Sequence, residues 1–234
     1  MTWSLVSVAA VIGIVGSPVA HRLGWLPLGP AFLILLLSVV VSFITVVVGI
    51  VAAVRDPTAV LNGRSLITYL ISVGAVIGPL WAVVPALGKP AIHDITTDTT
   101  DPPQFNAVIP LRSGSPNSVE YAGAELARMQ QAAYPDLTSL VLTRSASEVL
   151  QQVEAVAQEL NWNVVAIDTE RGQLEATDTT FWFGFKDDVV VRIRQNIDGD
   201  TRIDVRSTSR VGVGDLGANA DRIRNLLSRL RSRN

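Results

Sequence analysis

The first third of the chain is dominated by three long apolar runs. Residues 3–20, 30–54 and 66–87 hold no acid, base or histidine, and each is close to the ~17 to 25 residues that cross a bilayer as a helix. The first run ends at Pro18 and has no Lys or Arg before it, so it reads as a helix and not as a cleaved leader. From residue 90 onward the rhythm changes. "SPNSVEYAGAELARMQQAAYP" predicts a helix started by Asn117 or Ser118, with Val119, Ala122, Leu126 and Met129 on one face. "LTSLVLT" reads as a strand. "SASEVLQQVEAVAQELNW" carries a capping box, Ser145 with Glu148, ahead of an apolar face of Val149, Leu150, Val153, Val156 and Leu160. Strands follow in "NVVAID", "GQLEATDT", "KDDVVVRIRQN" and "TRIDVRST", and the "IDGD" between the last two is a hairpin turn. Ile223, Leu226, Leu227 and Leu230 then give a final helix its buried stripe.

These elements predict two regions. Residues 1–89 form a membrane α-helical N-terminal region of three spans. Residues 90–234 form a soluble α+β domain, an antiparallel sheet flanked by helices, entered through a strap at 90–105. The charges agree with that division, since residues 1–89 carry only Arg22, Arg55, Asp56, Arg64 and Lys89 besides His21. Trp3, Trp25, Tyr69 and Trp81 sit at or near the ends of the spans, where interfacial aromatics belong. Gly74 and Gly78 have the small-xxx-small spacing that lets helices approach closely. Arg55 and Arg64 share one loop, so the positive-inside rule puts that loop in the cytoplasm and the C-terminal domain outside. In a bacterium, which the excess of arginine over lysine suggests, outside the inner membrane is the periplasm of the cell envelope.

Charge and composition exclude several chemistries. A formal net charge of −2 gives no reason to expect a nucleic-acid partner. With no cysteine there is no disulfide, thiolate or Cys-bound metal. Spans without ionisable groups argue against a pump or proton-coupled transporter. No cofactor fingerprint is present, and "RVGVGDLGAN" lacks the Lys-Ser/Thr of a phosphate-binding loop, so Asp215 or Asn219 reads as a helix cap.

Two places could act. Along the hairpin Val189, Val191 and Ile193 alternate with Arg192 and Arg194, and Ile203 and Val205 alternate with Arg202, Arg206 and Arg210. One face is core; the other is arginine-rich and, as in many antiparallel sheets, expected to be wet. Cross-strand Arg–Asp pairs would explain it as structure. Guanidinium forks matching phosphate or carboxylate would make it an anion-binding surface, for a lipid headgroup or an envelope polymer. In "FWFGF", taken as a strand, Phe181, Phe183 and Phe185 share one side and Trp182 joins the polar one. The second place is the strap: His93, Asp94, Asp98 and Asp101 offer an imidazole and carboxylates that suit a metal, or simply turn-forming side chains.

"HDITTDTTDPPQF", "YPDL", "FWFGFKDDVVVRIR" and "RSTSRVGVGDLGANADRIR", in that order, resemble the domain-of-unknown-function family numbered 1499, over nearly all of residues 90–234. The resemblance implies a small domain found in bacteria and plastids, often after membrane helices, and implies no activity. His93, Asp94, Asp188, Arg206, Ser207, Arg210, Asn219 and Arg222 are among the matching positions, while Thr208 and Asn161 depart from the pattern.

The expectation is therefore a membrane-anchored envelope protein, in contact with membrane lipid, whose periplasmic domain binds an anionic ligand or headgroup through Arg192, Arg194, Arg202, Arg206, Arg210 and Trp182. The alternatives are a structural protein docking another envelope protein, or a metal-assisted hydrolase using His93, Asp94 and Asp98.

Overall fold

The apolar runs fold as three helices, α1 (Thr2–Arg22), α2 (Leu28–Arg55) and α3 (Gly63–Val83), the last continued by a single 3-10 turn at Val84–Ala86. All three are long and apolar enough to cross a membrane. The computed structural model describes residues 2–58 and 62–233; the middle of the loop between α2 and α3, residues 59–61, lies outside it, as does the Trp3 side chain named above as an anchor. Residues 1–87 and 181–184 form one unit; residues 88–180 and 185–234 form the other.

In the first unit the usual sorting of side chains is inverted. Leu33, Leu36, Ile50, Ile67 and Leu70 point outward, while Ser7, Ser42, Thr45, Thr68 and Ser72 are buried between helices. Lipid is as apolar as leucine, so outward Leu costs nothing there and buried hydroxyls do the joining. Ser72 meets Ser7 at 3.0 Å and Thr68 meets Ser4 at 3.0 Å, which ties α3 to α1. Close approach occurs at Gly13, against Ser38, and at Gly49, against the Tyr69 ring; a Cβ at either would collide. Gly74 and Gly78, expected to serve this purpose, face open space. Tyr69 lays its ring against α2 at Gly49, whereas Trp25 and Trp81 are exposed.

The second unit is built on a six-stranded antiparallel sheet, β1 (Asp94–Thr96), β2 (Leu140–Leu142), β3 (Asn163–Asp168), β4 (Gln173–Thr179), β5 (Lys186–Gln195) and β6 (Thr201–Ser209). The order is β1-β6-β5-β4-β3, with β2 also paired to β6. Helices α4 (Ala124–Ala133), α5 (Ala146–Glu159) and α6 (Ala218–Arg231) complete it. The alternation in β5 and β6 sets the layers: Val189, Val191, Ile203 and Val205 pack with Val149, Val153, Val156, Ile223, Leu226 and Leu230 in one core. α5 starts at the predicted capping box, both halves of which form.

Two local expectations fail and one further element appears. The helix expected from residue 117 begins only at Ala124, because Gly123 takes φ 78 and the preceding stretch is used elsewhere. "FWFGF" is a turn and not a strand, closed by hydrogen bonds between Thr180 and Phe185, so its residues do not alternate across the sheet. The strap contains a strand, β1, paired to β6 with Asp94 opposite Thr208 and Thr96 opposite Arg206.

Candidate functional site

The arginine-bearing face of the sheet is not wet along its length. Residues 97–121 lie over much of it, and Phe105 and Val108 pack on Val190, the apolar residue among the polar ones of that face. Glu175 holds this cover in place, its carboxylate accepting the backbone N–H groups of Asn106 (2.9 Å), Ala107 (3.1 Å) and Val108 (3.0 Å). Under the cover Arg206 is fully buried. It donates to both oxygens of Asp94 (2.9 and 2.7 Å) and to the carbonyls of Pro103 and Val119, with its guanidinium over the rings of Phe105 and Tyr121. Burial, with the Asp94 charge nearby, pushes the Tyr121 phenol up to about 12 against the opposing pull of Arg206.

One step along, Asp188 accepts from Arg112 (2.6 Å), Arg210 (2.8 and 2.9 Å) and Thr177 (2.7 Å). Burial alone would raise its pKa, but the bonds from Arg210, Thr177 and Arg112 outweigh it and hold the carboxyl below its ordinary value. Arg206 and Arg210, expected to bind an external anion, are thus occupied by acids and carbonyls of this chain. Arg112 was missed by sequence reasoning, because it sits in a linker-like stretch with no periodicity.

At the other end of the same strands the face opens. Arg192, Arg194 and Arg202 converge on Asp204, which accepts from all three at 2.9–3.0 Å and from Ser139 at 2.5 Å. Burial raises the Asp204 pKa and these donors lower it, with a net downward shift. The strap adds two acids: Asp98 lies 2.7 Å from Arg202, and Asp101 lies 3.0 Å from Arg194 and 3.1 Å from Arg192. The side chains of Arg194 and Arg202 stay 43% exposed and that of Asp101 62%, while Asp204 is buried. Three guanidiniums and three carboxylates balance there, and Asp101 is the most exposed member.

Asp94 and Asp98 are counter-ions to sheet arginines, and among the described residues no group of three or more His, Asp or Glu is placed to hold a metal. Of the three residues expected to hold a metal, Asp94 and Asp98 pair with Arg206 and Arg202, and the His93 ring meets the Val213 carbonyl at 3.2 Å. Ser207 and Ser209 bond to Asn219, whose amide also donates to the His93 carbonyl. Trp182 belongs by its contacts to the unit of the three helices and not to the arginine face.

The helix side of the sheet has a second ionic cluster. Asp178 and Asp187 face each other across β4 and β5, an unfavourable like-charge pair unless bridged. Arg222 bridges it, donating to Asp178 (2.8 Å), Asp187 (2.6 Å) and Asn219 (2.6 Å). A cleft of about 290 Å³ beside it is lined by Trp162, Asp178, Asp221, Arg222 and Asn225. With a fourth bond to Ser207 (3.1 Å), four of the five Arg222 N–H donors are used within the chain. Asp215 caps α6 from outside, accepting from Gly217 N (2.8 Å) and Asn219 N (2.8 Å), so the predicted capping side chain acts from two residues before the N-cap position, Gly217.

Fold and site together define a protein with an N-terminal three-helix region apolar enough to cross a membrane and a C-terminal α+β domain whose polar positions are organised as arginine–aspartate networks. The chain belongs to the family described as "protein of unknown function (DUF1499)", whose model matches residues 94–230, more than half of the 234 residues. No curated protein matches the chain.

Proposed function

We propose that this chain is a bacterial inner-membrane protein that carries its C-terminal domain in the periplasm and there binds an anionic group through Arg192, Arg194 and Arg202. The observation that carries this reading is their convergence at the open end of the sheet, where Arg194 and Arg202 keep 43% of their side chains exposed. Guanidinium forks suit a phosphate or carboxylate, and the exposed Asp101 carboxylate occupies the position that such a group would take. Because the cluster is already balanced, the ligand binds by replacing Asp101 and not by adding to it. Orientation rests on Arg55 and Arg64 flanking the loop between α2 and α3.

The test is a native mass spectrum of the full-length protein, extracted gently from its own membrane. A reproducible extra mass, lost in the Arg194→Gln/Arg202→Gln double variant, supports the reading and identifies the ligand class. A clean apo mass sinks it. A second reading, docking of another envelope protein, is favoured by one feature: among the described residues β3 has β4 as its only sheet neighbour, which leaves a strand edge for pairing. A protein partner captured through that edge, with no small mass bound, would favour it.

A further inference from the structure

The turn at residues 181–184, left without a role once it proved not to be a strand, carries an inference independent of the arginine site. It groups by its contacts with the three apolar helices. The Phe183 ring stacks on Phe32 near the start of α2, with centroids 4.7 Å apart at 17°, and stands 6.1 Å from the His21 ring. Arg22, the last residue of α1, donates to the Phe181 carbonyl, and its side chain runs where a Cβ of Gly184 would stand. Gly184 has φ 68, so both its conformation and its lack of a side chain are used. The turn is held by its backbone and by Phe183.

Its other two aromatics are not held in any core. Phe181 is 80% exposed and Trp182 52%, their rings edge-to-face at 5.7 Å, and Trp25, just beyond α1, is 77% exposed. Large aromatics left in water lose the gain of burial, on the order of 2–3 kcal/mol for a ring of this size. At the boundary of a bilayer the same rings are favourable, because an indole or phenyl ring suits the headgroup level. Two features choose a lipid surface over another occupant. The rings continue the outward-facing apolar surface of α1 and α2, which includes exposed Phe32 and Leu33. They lie at helix ends, where a membrane boundary falls.

We propose that Phe181, Trp182 and Trp25 form an interfacial anchor, seated in the headgroup region of the membrane that the helices cross. The absence of cysteine makes the test clean, because a single introduced thiol is the sole labelling site. Trp182→Cys, Phe181→Cys and, as a water reference, Ile197→Cys at the fully exposed β5–β6 turn are each spin-labelled in the full chain. They are reconstituted in nanodiscs of phosphatidylethanolamine with phosphatidylglycerol. At 181 and 182 the label should be more accessible to dissolved oxygen than to a water-soluble nickel chelate, the reverse of its order at 197. A label at both positions that reads like 197 overturns the proposal. So does one shielded from oxygen and nickel alike, which would mean a protein contact. Should Trp182→Cys fail to insert, Phe181→Cys carries the same test.

Discussion

One pair of strands puts arginine to two different uses. Near Ser209 the β6 arginines are under cover: Arg206 has four protein acceptor atoms and no exposed surface. Towards the β5–β6 turn, Arg194 and Arg202 carry the same guanidinium on the same alternating face, yet nearly half of each side chain is in water. The difference lies in the cover and not in the strands. Residues 97–121 bring Phe105, Tyr121 and backbone carbonyls over one end and only Asp98 and Asp101 to the other. An arginine alternation therefore marks a polar face, and the segment laid over it decides between scaffold and site.

The largest loss of stability is expected from Arg206→Ala. It leaves Asp94 charged, buried and unpaired, and removal of one partner of a buried pair costs about 3–5 kcal/mol. Hydrogen exchange of β1 and β6 in the full-length protein should show that loss. The Asp94→Leu/Arg206→Met double variant should recover most of it, since an apolar pair of similar volume avoids the desolvation cost. If the double variant were as unstable as the single, the network would owe its strength to the carbonyls of Pro103 and Val119 and not to the ion pair.

Acid is the next lever. Asp188 and Asp204 have folded pKa values below their ordinary ones, so their contribution is fully present above the unfolded value, about 4, and disappears as pH falls through the depressed folded values. Asp215 works in the opposite sense. Burial first, and the Asp187 charge after it, raise its pKa against the backbone bonds from Gly217 and Asn219, so protonation relieves a cost as the pH drops. The C-terminal domain should lose stability below about pH 4, whereas Asp215→Asn should abolish the opposing gain that Asp215 gives above that value, as the pH falls through its raised folded pKa towards the unfolded one. A slope in that window unchanged by Asp215→Asn would mean that its burial is relieved by water.

The open end should respond weakly in stability and strongly in binding. Arg194→Gln or Arg202→Gln removes one member of a half-exposed cluster, worth about 0–1 kcal/mol. The same changes should release any bound anion seen by native mass spectrometry. A large stability loss with no bound mass would move this end into the scaffold class with Arg206.

The reading from sequence succeeded where a periodic pattern met a single layer. The three apolar runs, the Ser145–Glu148 box and the β5–β6 alternation each depend on neighbours close in the chain, and each formed as expected. It failed where the partner came from far away. Asp94 meets Arg206 across a separation of 112 residues and Arg112 meets Asp188 across 76, and no local spacing encodes either pair. One global hint was present: a strap dense in aspartate and a sheet face dense in arginine, each unexplained alone and complementary together. "FWFGF" misled because aromatic density mimics a strand, while Gly184 at φ 68 makes the turn.

The smallest expected effect concerns the metal reading of the strap. A cation shared by His93, Asp94 and Asp98 would have to displace Arg206 from one carboxylate and Arg202 from another, and the His93 ring would have to leave the Val213 carbonyl. Each displaced guanidinium would leave a charge-assisted bond, roughly 1.5–3 kcal/mol, to be replaced by the ion. Treatment of the full-length protein with a chelator should therefore leave its thermal midpoint unchanged. His93→Ala should cost less than about 1 kcal/mol, because the hydrogen bond it removes is exposed. A chelator-induced drop that vanishes in His93→Ala would reverse this assignment, because it requires a metal held by that ring and an arginine network that rearranges to admit it.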